Sequence, residues 1–223
     1  MKHDGIENED ADLFGHVGFL AMGDAHTRWA PVSWASASLL RQDIANGCGV
    51  SKWLTVQTMN NRLISVRRDQ MKRIWIVDDG SDGPVNDFQW HTTMDDYAGI
   101  SPELYRAMAE WADGDTLERT SPAVRKAALA HIEHAGFSDR PSELRALLRH
   151  TVVHFTDGTT TSYEADRQDL TDFVEALDDP DMDIVRIAAS EDEFESFYPI
   201  SMLRMIDIPL LELEAAGVDA DDA

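Results

Sequence analysis

His131 and His134 stand three residues apart in a stretch with helical periodicity, so both imidazoles share a helix face and can reach one ion. No cysteine or carboxylate at a local ligand spacing completes a set, since the adjacent Glu133 points elsewhere, and the pair reads as surface or packed histidines. Asp78-Asp79-Gly80-Ser81-Asp82-Gly83 places carboxylates before glycine as a calcium loop does, but position three is Gly80 and position twelve is Gln89 where a bidentate glutamate is needed. It reads as an acidic turn. His150 and His154 flank a β-rich run, where residues four apart lie about 13 Å from one another, too far for a shared metal. Cys48 between Gly47 and Gly49 has no local histidine to activate it, and neither a phosphate loop nor a nucleophile elbow occurs. The sequence therefore predicts no catalytic residue, no metal site and no cofactor. The one enzyme reading left is a site assembled between modules near His91, Asp95 and Asp96.

Electrostatics carry more information. Residues 52–73 hold Lys52, Arg62, Arg67, Arg68, Lys72 and Arg73 against Asp69 alone, a local charge of +5, whereas residues 166–195 carry twelve acids and only Arg167 and Arg186, a local charge of −10. Opposite fields on corresponding parts of a chain suit head-to-tail association, or satisfy one another within one molecule. Arg62, Arg67, Arg68, Lys72 and Arg73, with Trp53 and Trp75 available for stacking, are the candidate binding residues for a partner protein, an anion or a nucleic acid.

The whole chain nevertheless has a formal charge of −23, which disfavours phosphate backbones and anionic membranes. Asp outnumbers Glu by 28 to 14 and only four residues are Lys, a skew expected either from adaptation to high salt or from a GC-rich genome. A single cysteine excludes an intramolecular disulfide framework, and neither a membrane span nor a leader peptide is expected, so the predicted location is the cytoplasm.

The elements that position these residues recur. In the later part, Thr151 to Phe155, a turn at Thr156-Asp157-Gly158, and Thr159 to Tyr163 predict a hairpin. Asp166 as N-cap with Leu170, Phe173, Val174 and Leu177 predicts a helix closed by Pro180. Asp183 to Ala189, Phe194 to Pro199 and Leu203 to Pro209 predict three strands, the first two parted by Glu191-Asp192-Glu193. In the earlier part, Val17 to Met22, Gly23-Asp24 and Thr27 to Trp34 predict a hairpin, and Leu39, Leu40 and Ile44 a helix ending near Gly47. Trp53 to Met59, a turn at Asn60-Asn61, Leu63 to Arg67 and Arg73 to Val77 follow as strands. By letter, Gln70-Met71-Lys72-Arg73 aligns with Ser201-Met202-Leu203-Arg204. Order and spacing together predict an internal duplication.

Between the halves, Ser101-Pro102 opens a helix carrying Leu104, Met108 and Trp111 and ending at Asp113-Gly114. Ser121-Pro122 opens a second with Val124, Ala128 and Ile132, and Ser142 to Arg149 forms a third around Leu144, Leu147 and Leu148. Their apolar stripes are expected to cover the open side of the β modules. Five short strands and a helix bury a dry face most economically by curling into a small barrel. The run Pro199-Ile200-Ser201-Met202-Leu203 reads as a 3₁₀ turn before the last strand, and in this each half resembles the Sm-like small-barrel fold. The helix stands between the second and third strands instead of leading, and the glycine and asparagine nucleotide-binding motifs of that family do not occur here. The predicted fold is thus α+β: two tandem hairpin–α–βββ modules at 13–79 and 151–213, a loop and helical connector at 80–150, and an acidic tail at 214–223. The predicted function is non-enzymatic binding or assembly, as a homo-oligomer or with a protein partner, through barrel edges and complementary charged faces. The alternative implied by the resemblance is an RNA-binding regulator that uses the basic patch.

Overall fold

The computed structural model describes residues 13–46, 51–78, 101–164, 167–179, 181–188, 195–210 and 213. The chain opens with a hairpin, β1 (Leu13–Ala21) and β2 (Arg28–Ser33), followed by helix α1 (Trp34–Asn46). A second antiparallel pair, β3 (Trp53–Gln57) and β4 (Arg62–Arg67), leads through a 3₁₀ turn at Arg68–Gln70 into β5 (Met71–Asp78). Three helices form the middle: α2 (Pro102–Ala112), α3 (Pro122–His134) and α4 (Pro141–Arg149). The later part then runs through the hairpin β6 (Thr151–Phe155) and β7 (Thr160–Tyr163) and helix α5 (Arg167–Asp178). The pair β8 (Ile184–Ala188) and β9 (Glu195–Pro199), a 3₁₀ turn at Ile200–Met202, and β10 (Leu203–Pro209) complete it.

Local chemistry explains these boundaries. Ser101 Oγ accepts from Leu104 N at 3.2 Å and Ser121 Oγ accepts from Val124 N at 3.3 Å, each serine satisfying an N–H that the first helical turn leaves open, with proline at the next position. Ser33 Oγ does the same for Ser36 N at the start of α1. Asn61 takes the left-handed conformation (φ 61°) that closes the β3–β4 turn, a position asparagine tolerates better than most side chains. On α1 only Ala37 and Leu40 are buried, while Leu39 and Ile44, which the sequence places on the same apolar stripe, are exposed.

Among the described residues the strands form three antiparallel sheets, ordered β2-β1-β5, β3-β4-β10-β6-β7 and β8-β9, and none closes into a barrel. The expected closed modules are corrected here. In each half a helix separates the second strand from the third, so β2 does not pair with β3 nor β7 with β8, and the free edge of β4 is taken by β10 from the other half. The connector also departs from expectation. Tyr105, Met108, Leu117, Ala128, Ile132, Phe137, Leu144 and Leu148 bury one another in a core of their own, so the helical stripes pack chiefly on each other.

The two halves repeat in register as well as in order. The β1–β5 ladder pairs Ala21 with Met71 and Leu20 with Arg73, skipping Lys72; the β6–β10 ladder pairs Phe155 with Leu203 and His154 with Met205, skipping Arg204. The same one-residue bulge thus stands at the same place. Arg68 N donates to Lys52 O and Ile200 N to Asp183 O, both at 2.9 Å; Met22 N donates to Gln70 O at 2.8 Å and Thr156 N to Met202 O at 2.9 Å. Met71 therefore corresponds to Leu203 and Arg73 to Met205, so the alignment by letter is one residue out. Side-chain identity was the wrong guide, because backbone pairing rather than residue type is what the halves share.

Candidate functional site

The most elaborate polar construction lies where the halves meet, along the antiparallel β4–β10 ladder from Met205 opposite Val66 to Pro209 opposite Arg62. Both strands are central in the five-stranded sheet, and both are almost wholly buried, which accounts for their nearly continuous apolar sequences, Leu63-Ile64-Ser65-Val66 and Leu203 to Ile208. Arg204 and Asp207 interrupt the second run, and Arg62 stands just before the first. Arg62 Nε donates to Asp207 Oδ1 at 2.6 Å, and its Nη2 donates to the carbonyls of His150 at 2.7 Å and Asp207 at 3.1 Å. Burial alone would pull this guanidinium below its ordinary range, but Asp207 and Tyr105 outweigh it and raise it, so Arg62 stays charged.

At the other end of the ladder, Arg67 Nη1 donates to the carbonyls of Ile200 (3.1 Å), Ser201 (2.7 Å) and Leu203 (3.2 Å), capping the second 3₁₀ turn, while its Nε and Nη2 grip Asp69 at 2.7 and 2.9 Å. That bidentate contact, with burial opposing it, holds the Asp69 carboxyl below its usual range. Arg204 Nη1 donates to Asp24 Oδ1 at 2.8 Å, tying β10 to the β1–β2 turn. Beside it His154, 3% exposed, is held at about 3 by burial and by the charges of Arg28 and Arg204.

The sequence-predicted binding residues do not form one patch. Arg62 and Trp53 belong to the interior, and Arg67 is occupied at the junction. Arg68 Nη1 donates to Asp43 O at 3.2 Å. With Lys52, Arg67 and Asp69 it lines one side of a cleft of ≈ 680 Å³ whose other side is Met182, Asp183, Ile184 and the Pro199–Ser201 segment. Lys72 and Arg73 are exposed on β5 and do not line that cleft. Arg73 lies over the Trp75 ring at 5.2 Å, and Trp75 in turn packs on Trp29 at 5.8 Å between centroids.

No family model matches the chain, and neither a curated protein nor a solved structure does so significantly. The geometry is therefore the only guide. Among the described residues no group of three His, Cys, Asp or Glu is placed to hold a metal ion. His150 Nδ1 is 3.1 Å from Ser162 Oγ, at the C-terminus of α4. Cys48, His91, Asp95, Asp96, Asp166 and residues 79–83 of the acidic turn lie outside the described residues. No helix is long and apolar enough to cross a membrane among the described residues.

Sequence reasoning missed Asp207, Arg204, Asp24 and Phe197. The signal for Asp207 was available: one carboxylate inside Leu203-Arg204-Met205-Ile206-Asp207-Ile208 must find a cation if the strand is central. Phe197 gave no such sign, because a phenylalanine in a strand is expected to be inside, whereas here it is 60% exposed on the outer face of β9 with Ile184 on β8.

Proposed function

We propose that the chain is a non-enzymatic assembly protein that joins polypeptides by extending sheets at their edges, with complementary charge selecting the partner. The observation that supports this reading is the β4–β10 junction, in which the chain already joins strands from two similar halves by edge pairing and locks them with Arg62–Asp207 and the Arg67 carbonyl clamp. Hairpin, helix, strand pair, 3₁₀ turn and closing strand occur twice in that order, which gives one chain two similar sets of strand edges. A reducing, cytoplasmic location fits a chain with one cysteine.

The test is solution mass. Light scattering across a concentration series should give a multiple of the 25.0 kDa chain mass or, with a foreign partner present, a stoichiometric complex. A mass of one chain at every concentration, with no complex formed, would overturn the reading.

A further inference from the structure

Resting on that assembly reading, we infer that the partner is a second copy of this chain, and that β9 of one copy pairs antiparallel with β5 of the next in a fixed register. The internal junction is the template. It joins the fourth strand of the first half, β4, to the last strand of the second, β10. The complementary pair is the fourth strand of the second half, β9, and the last strand of the first, β5. Both stand at sheet edges, β5 paired only with β1 and β9 only with β8 among the described residues.

Register equivalence makes the inference specific. The Arg68–Gln70 and Ile200–Met202 turns place Arg67 against Pro199, and the β3–β4 and β8–β9 ladders agree: Trp53 opposes Arg67 as Ile184 opposes Pro199, and Leu54 opposes Val66 as Val185 opposes Tyr198. The bulges place Arg73 against Met205. Transferring the observed pairs Met205–Val66, Ile206–Ser65 and Asp207–Ile64 gives Arg73 opposite Tyr198, Ile74 opposite Phe197 and Trp75 opposite Ser196.

Exposure differs as a missing neighbour requires. Ser65, beside β10, is 1% exposed and its counterpart Phe197 is 60% exposed; Met205 is 6% exposed and its counterpart Arg73 lies open. Exposed edge strands are normally blunted by charge, and here the blunting is asymmetric. Lys72 and Arg73 would repel another β5, while the β9 region, with a local charge of −10 over residues 166–195, attracts it. The contact is heterologous, so each copy keeps one donor and one acceptor edge and the assembly grows head to tail until a ring closes or a filament forms.

Disulfide trapping in the full chain tests this. In a Cys48→Ser background, one protein carries Trp75→Cys or Ile74→Cys and the other Ser196→Cys or Phe197→Cys. Directly opposed antiparallel residues lie about 4.5–5.5 Å apart at Cα, within disulfide reach, and the narrower site alternates, so one of the two matched pairs is favourable. Mild oxidation of a matched mixture should yield a covalent dimer on a non-reducing gel, and a Lys72→Cys with Ser196→Cys mixture should not. Phe197→Asp, at an exposed position, should lower the assembled mass with an unchanged circular-dichroism spectrum. Assembly without matched cross-links, or with Phe197→Asp still fully assembled, overturns the register but leaves assembly standing. A chain that remains monomeric overturns both.

Discussion

Arg62 and Asp207 are 145 residues apart in sequence, yet their side chains meet at 2.6 Å inside the five-stranded sheet, with the arginine 3% exposed and the aspartate 21%. A charge pair so placed does not add much net stability over an apolar pair, because desolvation offsets the attraction. Its value is specificity: β10 sliding by one residue along β4 would leave both charges buried without partners and turn every side chain to the other face.

Removing one member should therefore cost far more than removing both. Arg62→Met is expected to destabilise the chain by about 3–5 kcal/mol by leaving Asp207 uncompensated, whereas Arg62→Met with Asp207→Leu should recover most of that loss. Urea midpoints of the two single variants and the double variant check this, and a double variant no better than the singles would show that the carbonyl contacts of Arg62 matter more than the pair.

His154 predicts an acid-side loss of stability. Its folded value of about 3 lies below the ordinary 6.5, so the unfolded chain binds the extra proton between those limits. The histidine's contribution is complete above 6.5 and is lost as pH falls towards 3. Between about pH 7 and pH 5 the wild type should lose roughly 2 kcal/mol relative to His154→Leu, measured as the difference in unfolding free energy at each pH. Parallel curves for the two proteins would contradict the burial argument.

Gly18 is small for a reason legible in its cross-strand partner. A Cβ there would sit 2.7–2.8 Å from ring atoms of Trp29, the residue directly opposite on β2. Gly18→Ala should displace the Trp29 ring from Trp75, lowering stability by about 1–3 kcal/mol and altering tryptophan emission. Unchanged Tm and emission would mean that the ring moves aside freely.

Charge reversal separates steering from structure. Arg67 is among the candidate binding residues of the sequence, but it clamps the junction from within and its loss would damage the fold. Lys72→Glu with Arg73→Glu touches only exposed β5 positions and should weaken self-association about tenfold or more at low salt, with little effect on the urea midpoint. Sedimentation of both proteins at low and molar salt reads this; an unchanged association constant would remove electrostatics from the account.

Element type and order were legible because they depend on local chemistry. Ser-Pro caps, an Asn-Asn turn and alternating apolar residues act within a few positions of themselves, so the strands from Thr151 to Phe155 and Leu203 to Pro209 and the connector helices stand where the sequence puts them. The recurring order of elements was legible for the same reason, although the alignment by letter runs one residue off the pairing of the ladders. Strand partnership was not legible. Which strand fills the edge of β4 depends on long-range shape and on the Arg62–Asp207 contact, and no local pattern distinguishes closure upon its own half from pairing with β10. The amino-acid sequence by itself determined the pieces, their succession and the opposed charge of the halves. Only the tertiary structure decided that the basic patch is divided between a buried junction and an open edge, because burial and pairing are properties of neighbours brought together across the whole chain.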